Sequence, residues 1–144
     1  MALKILIKYF NIDIPRIEKL EIGGWFDLRN IKEEIIFAKI YNVISLGVAM
    51  KLPEGYEAII APRSSSFKNW GVLQVNGLGI IDESYSGNND EWKWAVYPTR
   101  DTIIKQYSRI CQFRIQKRQP DIIFTEVSTL EFPNRNGFGS TGYT

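Results

Sequence analysis

Hydrophobic and polar residues alternate along this chain in short runs and not in long stripes. Lys4-Ile5-Leu6-Ile7-Lys8-Tyr9, Glu57-Ala58-Ile59-Ile60, Gly71-Val72-Leu73-Gln74-Val75 and Asp121-Ile122-Ile123-Phe124-Thr125-Glu126-Val127 are rich in β-branched and aromatic residues, side chains that suit a pleated, half-buried surface. Turn-forming sequences bound them: Leu52-Pro53-Glu54-Gly55, Ser86-Gly87-Asn88-Asn89 and Gln119-Pro120-Asp121. Many short strands punctuated in this way predict an all-β domain, a sandwich, barrel or jelly roll.

Two segments depart from the strand pattern. Between Asn30 and Asn42, Ile31, Ile35 and Ala38, with Phe37 and Tyr41, fall at helical spacing. Ile35, Ile36, Phe37, Ile40 and Tyr41 suit buried strands equally well, and tertiary context overrides local propensity, so strand is the expectation. In Ser65-Ser66-Phe67-Lys68-Asn69-Trp70-Gly71 a serine stands where a helix can be capped and a glycine where it can be closed, which predicts one short helix. From Pro133 onward the composition turns to glycine, asparagine, serine and threonine, in isolation a frayed terminus or a functional arm.

Composition narrows the chemistry. With 44% hydrophobic and 24% charged residues over 144 positions, the chain is too apolar for disorder and fits one folded domain. Its net charge is +2 and its basic residues are scattered, so no footprint for duplex nucleic acid stands out, and a nucleotide is the better expectation. No apolar run approaches the roughly 20 residues of a membrane span, and Met1-Ala2-Leu3-Lys4 does not open a signal peptide. With the lone Cys111 this predicts a cytoplasmic protein without an intrachain disulfide or a paired-cysteine zinc site. The absence of histidine removes His-dependent triads, HExxH sites and imidazole acid–base pairs. A carboxylate base and a hard cation bound through oxygen remain.

Three fragments could carry such chemistry. In Asn76-Gly77-Leu78-Gly79-Ile80-Ile81-Asp82-Glu83-Ser84-Tyr85-Ser86-Gly87, Asp82 follows two isoleucines. The fragment reads either as a hairpin with a solvated acidic end or as a strand that positions a carboxylate to take a proton from water. Pro62-Arg63-Ser64-Ser65-Ser66 precedes the predicted helix, as a simple cap or as hydroxyls, N–H groups and a guanidinium converging on an anion. Gly137-Phe138-Gly139-Ser140-Thr141-Gly142 offers flexible backbone, two hydroxyls and a ring, without the lysine of a Walker loop.

Taken in order, Gly24-Trp25-Phe26-Asp27-Leu28-Arg29, Pro62-Arg63-Ser64-Ser65, Gly79-Ile80-Ile81-Asp82-Glu83-Ser84-Tyr85-Ser86-Gly87, Arg109-Ile110-Cys111-Gln112-Phe113 and Arg135-Asn136-Gly137-Phe138-Gly139-Ser140-Thr141-Gly142 resemble the five motifs of the homotrimeric dUTPase family. The third and fifth are the most specific, and together the five cover nearly the whole chain. The Asn-Asn-Asp-Glu-Trp stretch after Gly87 resembles a subgroup from Gram-positive bacteria and their phages. Four departures stand out: Tyr107-Ser108 where the family has Gly-Asp, Ser65 where it has glycine, Ser84 where many relatives have aspartate, and Asn136 where glycine is usual.

The resemblance implies a distorted β jelly roll over residues 1–132 and a C-terminal arm over 133–144 that closes on active sites at the boundaries of a homotrimer. It implies hydrolysis of dUTP to dUMP and pyrophosphate by water attack on the α-phosphorus, limiting uracil in DNA and supplying dUMP for dTMP synthesis. By similarity Asp82 is the base. Asn76, Gly79, Ile80 and Ile81 meet the uracil edge, Tyr85 packs under the deoxyribose, and Phe138 stacks on the base. Arg63, Ser64, Ser65, Gln112, Arg135, Gly139, Ser140 and Thr141 meet the phosphates. Mg2+ is held through the triphosphate and water, with no direct protein ligand. The alternatives are a dCTP deaminase-type relative and a phage-encoded regulatory protein that keeps the nucleotide pocket.

Overall fold

The computed structural model describes residues 2–137. Among them the chain forms β1 (Leu6–Tyr9), β2 (Phe26–Arg29), β3 (Glu34–Ile36), β4 (Asn42–Ser45), β5 (Val48–Lys51), β6 (Tyr56–Pro62), α1 (Ser66–Trp70), β7 (Val72–Gln74), β8 (Gly79–Ile81), β9 (Lys93–Pro98), β10 (Thr102–Ile104) and β11 (Arg109–Lys117). A four-stranded sheet β2-β11-β6-β8 and a three-stranded sheet β4-β9-β7 are flanked by the pairs β1-β5 and β3-β10. All pairings are antiparallel. Among the described residues no sheet closes into a barrel, and the antiparallel sheets have the arrangement of the expected jelly roll.

Period-two alternation drives the packing. In β9, Trp94, Val96 and Pro98 point inward while Lys93 and Tyr97 stay exposed. Trp92 and Trp94, fully buried, meet Leu28, Ile44, Ile60, Ile110 and Phe113 in one core. Phe113 stacks on Phe26 at 5.5 Å and takes Trp92 edge-on at 5.2 Å, geometries worth about 0.5–1.5 kcal/mol beyond area burial. Consecutive residues Ile110 and Cys111 are both buried because the β11–β2 register shifts there, and a bulge reverses which face the strand presents. Burial pushes the Cys111 thiol well above its ordinary pKa.

The expected strands appear at β1, β6 and β7, and the expected helix at α1, closed by Gly71 at φ +66. Within the 30–42 segment the chain is strand over Glu34–Ile36, paired with β10, and again only at Asn42, where β4 begins. Residues 121–127, also expected as strand, form none. Past Lys117 the described chain is irregular and exposed, with Ile123 and Phe124 more than nine-tenths open. A strand needs a neighbour for its N–H and C=O groups, and this chain supplies none there.

Candidate active site

Strand β8 and the loops around it build the first half of the site. Gly79 pairs with Ile60 of β6, and Ile81 with Ala58. A Cβ on Gly79 would sit 3.1 Å from Cβ of Ile60 and 3.2 Å from its carbonyl oxygen, so a side chain there would push β8 and β6 apart by a few tenths of an ångström. Asn76, Gly79, Ile80 and Ile81, four residues expected at the uracil edge, line one cleft of about 110 Å3 with Ile60, Gln74, Lys93, Trp94 and Ala95. Gln74 organises its floor: Nε2 donates to the carbonyls of Ile60 (3.1 Å) and Asn76 (2.7 Å), while Oε1 accepts the indole N–H of Trp94 at 2.6 Å. Sequence reasoning missed Gln74, because a half-buried amide inside a strand carries no motif. Trp92 and Trp94 are both core residues, and Trp94 reaches the cleft through its indole N–H.

Asp82 opens the turn that follows β8, with Tyr85 N–H donating to its carbonyl at 3.0 Å. The carboxylate is exposed. Its Oδ2 accepts the N–H of Ser84 at 2.8 Å and also the Ser84 hydroxyl. That hydroxyl and then the N–H hold the Asp82 pKa below the ordinary carboxylate value; desolvation opposes them, and the charge of Arg118 adds a weaker lowering influence. Ser84 is thus the main donor that extends the ionised form of Asp82 to lower pH. Tyr85 turns toward the 86–91 loop, where its hydroxyl donates to the Glu91 carbonyl at 2.8 Å. Burial, then Asp90 and Glu91, raise its pKa and keep the phenol protonated.

The second half of the site lies at the far end of β6. Arg63 Nε stands 3.2 Å from Asp27 Oδ1, and Arg63 Nη1 donates to the Arg109 carbonyl at 2.9 Å, so the guanidinium fork is fixed. Arg109 approaches the other Asp27 oxygen at 3.9 Å. Burial and then the charge of Arg109 lower the pKa of nearby Arg29. Gln112 pairs with Ala61 across β11–β6 and donates to the Pro62 carbonyl at 3.0 Å. Ser65 takes the N-cap position without a side-chain cap bond. The buried Ser66 does the local fastening, accepting from Arg63 N–H at 2.9 Å and donating to the Ile110 carbonyl at 2.8 Å. Two family departures are accommodated by the backbone: Ser65 has φ −93, which needs no glycine, and Asn136 has φ +55, a left-handed value asparagine tolerates.

The two halves do not meet within one chain. Asp82 lies one residue past the Ala58–Ile81 pair, level with Glu57, whereas Arg63 lies six residues further along β6, roughly 20 Å at about 3.3 Å per residue. Arg135 is exposed in the irregular segment. Phe138, Gly139, Ser140 and Thr141 lie outside the described residues. Among the described residues no group of three His, Cys, Asp or Glu side chains could hold a metal, and no helix is long and apolar enough to cross a membrane.

The dUTPase family model matches residues 11–142. The SPbeta prophage-derived deoxyuridine 5'-triphosphate nucleotidohydrolase of Bacillus subtilis is 50% identical over 140 residues, covering 97% of this chain and 99% of its own. A deoxyuridine 5'-triphosphate nucleotidohydrolase of Finegoldia magna is 36% identical over 149 residues, covering 99% of this chain and all of its own. In fold, a mutant dUTPase of Staphylococcus bacteriophage 80alpha, solved with dUpNHpp, superposes with a TM-score of 0.80 over 99% of this chain and 100% of that one, at 17% identity. Another neighbour, a mutant dUTPase of phage phi11 of S. aureus reported for its coordination of a structural Mg(II) ion, reaches 0.74 over 90% of this chain and 100% of its own, at 15% identity. With the family's fold, its five motifs in order and relatives matched end to end, this chain belongs to the dUTPase family, the enzymes that hydrolyse dUTP.

Proposed function

We propose that the chain cleaves dUTP to dUMP and pyrophosphate with Asp82 as the base, in sites shared between the subunits of a homotrimer. The observation that carries this reading is the split site: the cleft and Asp82 lie at one end of β6, the arginine and glutamine at the other. One subunit's Asp82 end joined to a neighbour's Arg63 end makes a complete nucleotide site. The deaminase and non-catalytic alternatives gain nothing from the close relatives, which are nucleotidohydrolases.

Uracil enters the cleft edge-on against Asn76 and the β8 backbone. Cytosine reverses the donor and acceptor pattern and leaves buried groups unpaired, a loss of about 1–3 kcal/mol for each group. A thymine methyl collides with the backbone that Gly79 brings close. Tyr85, held by its bond to Glu91, packs under the deoxyribose and leaves no room for a 2′-hydroxyl. Asp82 takes a proton from water as its oxygen bonds the α-phosphorus, and the bond to the bridging oxygen breaks to release pyrophosphate. Arg63, Ser64, Ser65 and Gln112 hold the phosphates of a nucleotide bound at the neighbouring cleft.

Mg2+ accompanies the triphosphate. A small cation of this kind keeps its waters and binds through substrate phosphates, without an all-protein cage. When bound it supplies neutralising charge to the phosphate oxygens. The arm of residues 133–144 closes the site, with Arg135, Gly139, Ser140 and Thr141 on the phosphates and Phe138 over the base.

Pyrophosphate release measured across dUTP, dCTP, dTTP and UTP tests the pocket. Wild type is expected to cleave dUTP alone at an appreciable rate, and Tyr85→Ala to gain activity on UTP relative to dUTP. Equal selectivity in the variant removes Tyr85 from the sugar site.

A pH profile tests the base. The ionised carboxylate is the working form, so the rate falls as pH drops through the Asp82 pKa. Ser84→Ala removes the largest influence holding that pKa down, and the acid limb of kcat/KM should move to higher pH. An unmoved limb means that another group sets it.

A further inference from the structure

We propose that Glu83 and Arg118 are positioning residues: Glu83 clamps the Gly55 turn and the first residue beyond β11 to the loop that carries Asp82, so that the base and the start of the irregular C-terminal segment hold one fixed relation. Three segments distant in sequence meet here. Glu83 Oε2 accepts the Gly55 N–H at 2.9 Å, and Oε1 pairs with Arg118 Nη1 at 2.5 Å. The Gly55 carbonyl in turn accepts the Arg118 N–H at 2.9 Å. The contacts close a ring through Glu83, Gly55 and Arg118.

Each corner has a reason to stay in place. Gly55 sits at φ +83 in a turn whose Tyr56 N–H donates to the Pro53 carbonyl at 3.1 Å, the left-handed value a type II turn requires at its third residue. Glu83 is only 19% exposed at its side chain, and both its oxygens carry charge-assisted bonds, the stronger kind. Arg118, half exposed, would contribute little as an isolated surface ion pair. It matters here because its backbone is pinned to the same turn, and its charge adds a minor lowering influence on the Asp82 pKa, behind the two Ser84 donors and the opposing desolvation. Among the described residues the chain past Arg118 has no strand partner, so this ring is the last point at which it is tied to the core near the base.

The inference rests on Asp82 being the base, and the experiment separates the two. Full-length wild type, Arg118→Met, Arg118→Lys, Glu83→Gln and Asp82→Asn are compared for kcat, KM, pH profile and thermal transition with dUTP and Mg2+. Arg118→Met and Glu83→Gln are expected to lower kcat about tenfold, within the range a small misplacement of a reacting group produces. KM should stay within about twofold and the thermal transition near wild type. The acid limb should rise in Arg118→Met, while Arg118→Lys, which keeps the charge, restores the limb and most of kcat. Unchanged kcat and an unmoved limb in Arg118→Met overturn the proposal, as does a loss of kcat that merely follows a lowered thermal transition in every variant. Wild-type turnover in Asp82→Asn instead overturns the assignment of the base on which the clamp acts.

Discussion

Asp82→Asn slows dUTP cleavage roughly 10²- to 10⁴-fold, the range of a general-base contribution, while dUTP still binds. The amide keeps the shape of the carboxylate but cannot accept the proton of the attacking water. The turn itself should survive, because Ser84 N–H donates to one side-chain oxygen and an amide oxygen still accepts such a bond, though more weakly than a carboxylate. Binding should survive because the cleft formed by Asn76, Gly79, Ile80 and Ile81 ends before residue 82. Single-turnover cleavage beside equilibrium binding of a non-hydrolysable dUTP analogue separates the two quantities. Turnover near wild type would remove Asp82 from the chemistry.

Deleting residues 134–144 cripples turnover and leaves the jelly roll folded. The core strands end at Lys117, and the described residues beyond it are exposed, so their removal opens no cavity. The deletion takes away Arg135, Phe138, Gly139, Ser140 and Thr141 together. The stacking of Phe138 on the base alone is worth roughly 1 to 3 kcal/mol, a factor of about 5 to 150, before any loss of phosphate contacts. Circular dichroism and oligomer mass should match wild type while kcat/KM collapses. A truncated protein with full activity would show that the arm has no part in closing the site.

Much of the fold was legible because short β-branched runs between turn sequences admit few architectures, and α1 announced itself through Ser65 and Gly71. The strand expected at 121–127 was misread for a physical reason. Ile122, Ile123 and Phe124 have strand propensity, but propensity does not provide a neighbour, and that information lies outside the segment. The bulge at Ile110 and Cys111 was equally silent, since two adjacent buried residues do not state which of them breaks the alternation. At the site, Asn76 and Gly79 to Ile81 were readable as a group because one short strand and its loop carry them. Their distance from Arg63 and Gln112 was not, because it depends on the β6–β8 and β6–β11 registers. Gln74, and the fastening role of Ser66, escaped notice because their bonds to the carbonyls of Ile60 and Ile110 are visible only when those segments are adjacent.

The turn before β11 shows how a departure from the family pattern is absorbed. Tyr107, where relatives have glycine, adopts φ +62, a left-handed conformation that costs a non-glycine residue about 1–2 kcal/mol. Its N–H donates to the Asn30 carbonyl at 3.0 Å, and its carbonyl accepts from Arg29 Nη1 at 2.7 Å. The left-handed geometry at 107 is therefore held by bonds from β2 and the residue after it, on the approach to Arg109 and Gln112.

The unpartnered stretch after Lys117 also bears on biogenesis. Ile123, Phe124, Leu130 and Phe132 are the kind of exposed apolar side chains that draw nascent chains into aggregates when they emerge before a core exists to exclude them. Here they are translated after every strand of the sheets. A ribosome making this protein delivers this exposed apolar segment only once every strand of the sheets has been synthesised, so the core can form before these side chains emerge.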